Sequence, residues 1–250
     1  MTREEKIACL KAKIAAFCDE DFGEMLPCPK AEKKPKYTPP AGVHPRLCFT
    51  KKRLEDIKKN LNCDENKYAY ERYTELCEME CDGVVTDFTD ANAMSHMRMI
   101  DSNILTILNA KAFKYALTGD ELYGYEAVAG VLSYLKTYDL SQIPAGMAHY
   151  SSMRIMEKVA WIYDWCYDLL RPEDKHRIAC AGTSKICKFM EYPDFPPTGG
   201  GVMVGHMSGS IFLIAWSSMG IAIYDEHPEY YDLIANIIHD QAIRKMEPDI

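Results

Sequence analysis

The chain has 250 residues, of which 48% are hydrophobic and 26% charged, so a sizeable core is affordable in one large domain or two small ones. The formal net charge of −8 argues against a nucleic-acid partner, which would call for a basic surface. It leaves room for an acidic sugar, because a local basic cleft can sit in an acidic protein.

Apolar residues Ile7, Leu10, Ile14 and Phe17 recur at helical spacing and predict a helix in the first 26 residues. The lysines interrupting Ile7 to Phe17 rule out a signal-peptide core there. A linker over 27–46 follows, because Pro27, Pro29, Pro35, Pro39 and Pro40 alternate with lysines and break both helix and ladder. His44-Pro-Arg-Leu-Cys-Phe-Thr50 reads as an extended lead-in, with Thr50 as the N-cap of a helix over 51–61.

Helical patterns then dominate, near 64–81, 97–117, 120–137, 150–170, 172–190, 208–224 and 227–246. Breaks fall at Thr118-Gly119-Asp120, Arg171-Pro172 and His227-Pro228, and both prolines suit a first helical turn. Gly83 to Thr89 is the one modest strand candidate. Helix pairs recurring about every 40–50 residues predict a stack of helical hairpins. The domain reading is therefore an N-terminal helix over 1–26, a linker over 27–46 and a helical domain over 47–250.

The cysteines do not space like a disulfide framework, and most read as reduced and buried, which suits a cytoplasmic protein. Cys77 and Cys81 lie four apart on a helix, but no second pair with zinc-like spacing accompanies them, so no metal is expected. Ile211 to Ile223 is too short to span a bilayer and reads as a core helix, so no membrane partner is expected.

The strongest signal for chemistry is Thr198-Gly-Gly-Gly-Val-Met-Val-Gly-His-Met-Ser-Gly209, followed at once by the apolar run Ser210 to Tyr224. It sets His206 where flexible backbone meets a packed helix, a place a ligand can approach. The competing reading is a helix-terminal histidine that only caps or packs. The triple glycine lacks the Gly-Lys-Ser/Thr of a phosphate loop.

Three stretches together resemble the heparinase II/III-type polysaccharide lyases, closest to the heparinase II-like branch. They are His44-Pro-Arg-Leu-Cys-Phe-Thr-Lys-Lys-Arg-Leu54, then Ile155 to Asp168 with Arg171-Pro-Glu-Asp174, then Gly205-His-Met-Ser-Gly209 through Asp225. The likeness runs from about residue 40 onward, in the family's order. It implies an all-α fold, an incomplete α/α toroid of helical hairpins, and β-elimination on uronate-containing glycans such as heparin or heparan sulfate. It implies no cofactor.

In that reaction a base removes the proton beside the uronate carboxylate, and the bond to the leaving sugar oxygen then breaks. A polar donor must neutralise the carboxylate. His206 falls where the family places that donor, with Gly205 beside it. Arg154 falls in a region where the family often binds substrate, and its guanidinium suits sulfate or carboxylate. Its bland alternative is a surface pair with Glu157. His149 and Tyr150 would line the same cleft. Two departures stand out: Gly209 replaces an expected glutamate, and the family's catalytic tyrosine would fall about fifty residues beyond His206. The resemblance therefore implies a chain inactive alone, with the rest of the toroid and a C-terminal β-sandwich portion missing.

Two other readings stay open. One is a non-catalytic carbohydrate-binding helical scaffold. The other is a glycoside hydrolase using a carboxylate pair such as Asp164 and Asp168, which a capping role or a solvated face would explain as well. The aromatic run Trp161, Tyr163, Trp165 and Tyr167 offers sugar stacking but reads first as core.

Overall fold

A computed structural model describes the backbone of residues 1–85, 93–139, 145–186 and 208–237, and side chains at 1–85, 104–139, 153–185 and 214–236. Among the described residues the regular structure is helical, with no strand. The helices are α1 (Arg3–Ala15), α2 (Lys51–Asn60), α3 (Asp64–Glu78), α4 (Ala93–Thr118), α5 (Glu121–Thr137), α6 (Ala145–Trp165), α7 (Pro172–Cys180), α8 (Ser208–Ala222) and α9 (Pro228–Ile237). Residues 83–85 of the strand candidate are irregular, and 86–89 lie outside the described residues.

Local chemistry sets the helix limits. Thr2 and Glu5 form a reciprocal capping box on α1. The Thr50 hydroxyl accepts from the Arg53 amide at 3.3 Å, so the predicted N-cap of α2 is in place. Gly119, at φ +72°, ends α4 by donating its amide to Tyr115 O at 2.7 Å, and Asp120 then caps α5. Pro172 and Pro228 occupy the first positions of α7 and α9.

Contacts fix the directions of these helices. Lys158 Nζ donates to Thr106 Oγ1, and Phe113 packs on Trp165, so α4 and α6 run parallel in one register. Asp164, near the end of α6, and Asp225, just past α8, are joined through His44, so α8 runs parallel to α6. The intervening helices return antiparallel. Lys111 pairs with Glu126 between α4 and α5, and Gly220 packs against Tyr231 and Ile234 between α8 and α9.

The result is a hairpin array with α4, α6 and α8 forming one parallel row. Its core is built from Leu105, Leu108, Leu132, Leu135, Met153, Met156, Val159, Tyr163, Trp216 and Met219. The α8 sequence is apolar on all sides; it packs between α6 and α9 and leaves Ile214 exposed.

The N-terminal segment does not hang free. The α1 helix packs on α5, and Arg171 donates to Ile14 O at 3.3 Å. The proline-rich stretch runs along α9, where Lys33 N donates to Asn236 at 3.3 Å and Tyr231 donates to Tyr37 O at 2.8 Å. Gly83, at φ +74°, lies so close to α5 that a Cβ there would stand 2.0 Å from Gly130 O.

The cysteine expectation is met in part. None of the described cysteines is disulfide-bonded, but only Cys77, Cys166 and Cys180 are buried, whereas Cys9, Cys18 and Cys48 are exposed. Cys187 lies outside the described residues. No described helix is long and apolar enough to cross a membrane.

Candidate functional site

Two places collect polar side chains around the parallel row. At the C-terminal ends of α6 and α8, the lead-in segment crosses the helices. His44 Nδ1 lies 2.6 Å from Asp164 Oδ1, and Nε2 lies 3.1 Å from Asp225 Oδ2. The second oxygen of Asp164 accepts from the amides of Arg46 and Leu47, each at 2.8 Å. The Arg46 guanidinium reaches both oxygens of Asp225 at 2.7 Å and Ile221 O at 3.1 Å. Gly42 N also donates to Asp225.

Tyr167 stacks on the His44 ring at 3.6 Å between centroids, and Tyr163 and Tyr167 both donate to Glu226 at 2.7 Å. Burial drives both tyrosine pKa values upward, reinforced by the Glu226 charge and its hydrogen bonds, so the hydroxyls stay protonated donors. Burial also opposes ionisation of Asp225, but bonds from Arg46, Gly42 and His44 outweigh it and hold the carboxyl below its ordinary value.

This cluster has the residue types of a general acid–base site but not the availability. Both ring nitrogens of His44 are engaged, its side chain is 3% exposed, and Asp164 is fully buried. The cluster is a clasp. It ties the lead-in segment to α6 and to the turn after α8, the three stretches on which the sequence resemblance rests. Asp164 and Asp168 both border a cavity of about 260 Å³, but Asp164 is fully buried and spent on His44 and the amides of Arg46 and Leu47, whereas Asp168 is exposed beyond α6.

The second place is a stripe on α6 whose side chains are only partly covered. Arg154 is exposed; Glu157, Lys158 and Trp161 are half-buried; and the residues between them are core. At the lower end, Trp161 stacks on Trp165 at 5.5 Å, and Phe49 of the lead-in segment lies against Trp165 and Phe113. The lead-in segment thus closes the C-terminal end of the row like a floor. Cys48 lies within electrostatic reach of Glu157, and burial pushes its thiol pKa up.

Burial also raises the Glu157 pKa and lowers that of Lys158, while Arg154 lowers both through its charge. Each group is thus pushed toward its neutral form. Arg154 interacts electrostatically with Glu157, as the surface-pair alternative anticipates, and with Lys158 as well.

His149 and Tyr150 lie in the N-terminal part of α6, with side chains outside the described residues. His206 and Gly205 lie outside the described residues; α8 begins at Ser208. Because α6 and α8 run parallel with their C-terminal ends clasped together, the start of α8 lies toward the end at which α6 starts. Thr106 and Lys158 stand equally far from the starts of α4 and α6, so these two helices begin level. Helix N-termini gathered at one end favour a negative ligand there.

No group of three or more potential ligands for a metal ion occurs among the described residues. Cys77 is buried, and its thiol lies 3.4 Å from Ala110 O. Sequence reading missed Lys158 and the clasp. Lys158 carried a signal, because Tyr150, Arg154, Lys158 and Trp161 recur at three- and four-residue spacing between apolar positions. The clasp carried none, because its partners lie more than a hundred residues apart. No family model and no curated protein matches this chain.

Proposed function

We propose that this helical domain binds an acidic polysaccharide and belongs to a lyase that cleaves uronate-containing glycans by β-elimination. The observation that carries the reading is the parallel clasping of α6 and α8, which brings the start of α8 toward the Arg154-bearing half of α6. In this reading Arg154 pairs with a sulfate or carboxylate of the glycan, and Lys158 adds a second cation one turn along the helix. His206 donates to the uronate carboxylate and stabilises the charge that builds up when the neighbouring proton is removed. The same reading assigns His149, Tyr150 and Gly205 to substrate binding beside them. In the same reading the helical hairpins are taken as part of an α/α toroid.

The test is binding of heparan sulfate and alginate hexasaccharides, together with the ultraviolet absorbance of the unsaturated uronate product. Arg154→Ala and His206→Ala are each expected to weaken binding about fivefold to tenfold, a loss of roughly 1–1.4 kcal/mol. Absence of binding, or binding indifferent to both substitutions, refutes the reading. Binding that responds to both without any unsaturated product identifies a carbohydrate-binding scaffold instead.

A further inference from the structure

A second concavity lies away from the clasp and from Arg154, in the angle between α2, α3 and α4. It is an open groove of about 570 Å³, within the size range of small-molecule sites. Tyr70 and Tyr73 of α3 line it, with Phe113 of α4 behind them. Tyr70 and Tyr73 form the platform, with rings 28° from parallel and centroids 6.0 Å apart, and Phe113 meets Tyr73 edge-on at 5.4 Å and 68°. The platform is held from behind, because Tyr73 donates its hydroxyl to Ala110 O at 3.0 Å.

The rim is polar in a particular way. The Asn60 amide nitrogen is used on Asp56 O at 2.8 Å, and that of Asn66 on Asn60 O at 2.9 Å. Both side-chain amides are therefore held in one orientation, with their carbonyl oxygens left as acceptors. Arg53 brings a guanidinium with no partner among the described residues, so its N–H donors are unspent.

We infer that this groove is a binding site for one or two pyranose units of a glycan chain. A pyranose presents an apolar C–H face to aromatic rings and a belt of hydroxyls, each both donor and acceptor. The groove offers the counterpart of each: a tyrosine platform, fixed amide acceptors and a free bidentate donor. A flat hydrophobic partner surface would leave the rim unmatched, and a phosphate would leave the platform unused. The site stands on different helices from the Arg154 stripe, so it does not depend on the lyase reading.

The test uses the full chain and calorimetric titration with cellohexaose, mannohexaose and hexagalacturonate. At least one is expected to bind with a stoichiometry near one. Tyr70→Ala should weaken that binding about fivefold to tenfold, the scale of one aromatic contact. The exposed rim substitution Asn66→Ala should weaken it with an unchanged melting temperature. Arg154→Ala should change it less than about twofold, since separate sites act independently. A preference for hexagalacturonate that Arg53→Ala abolishes would assign Arg53 to the sugar carboxylate. The inference is overturned if none of the three binds, or if binding responds to Arg154→Ala and not to Tyr70→Ala or Asn66→Ala.

Discussion

Asp164→Ala tests the claim that the clasp is structural. The carboxylate is fully buried and accepts from His44 and from the amides of Arg46 and Leu47. Removing it leaves two backbone donors and one ring donor without partners, at about 1–3 kcal/mol for each buried group. The structure around the site relaxes in part, so the net loss is expected at about 3–5 kcal/mol, the range for breaking a buried charged pair. Total stability is of order 5–15 kcal/mol, so the variant should still fold but only marginally. With a urea slope of roughly 3 kcal/mol per molar for a chain of this size, the midpoint should fall by more than about 1 M. Hydrogen exchange should speed selectively at the Arg46 and Leu47 amides. Adding His44→Ala should cost far less than it does alone, because both changes break one network. A loss below about 1 kcal/mol, or additive single and double variants, would refute the clasp.

Acid should loosen the same cluster. Asp225 has a folded pKa held below the ordinary carboxylate value, so its stabilising contribution is complete above about pH 4 and is lost as pH falls through the folded value. A pH series of melting temperatures should show that decline, and Asp225→Asn should flatten it. Glu157→Gln should raise the melting temperature at pH 7, because burial raises the pKa of this carboxyl and its ionised form disfavours the fold there; an unchanged or lower value contradicts the burial cost assigned to Glu157. Gly83→Ala should cost about 2–4 kcal/mol in chemical denaturation, since φ is +74° and the new Cβ would collide with Gly130 O.

The helices and their limits were legible in the chain because they depend on near neighbours. Thr50, Gly119, Pro172 and Pro228 act on backbone groups a few residues away, and the apolar run of α5, buried on every side from Ala127 to Leu135, marks a core helix. The buried aromatics Tyr163 and Trp165 were read as core for the same reason. Arg154 was legible as a polar interruption on an apolar helix. The bond from Lys158 to Thr106 was not, since it joins α6 to α4.

By itself, then, the sequence determined an all-helical chain, its cap residues and the hairpin rhythm, because hydrogen bonding and side-chain period are local properties. Only the tertiary structure decided that α4, α6 and α8 run parallel, that His44 lies between Asp164 and Asp225, and that Tyr70, Tyr73 and Phe113 line one groove. Those facts depend on which distant segments meet, and burial settles that by selecting the one packing in which every enclosed charge of the clasp finds a partner.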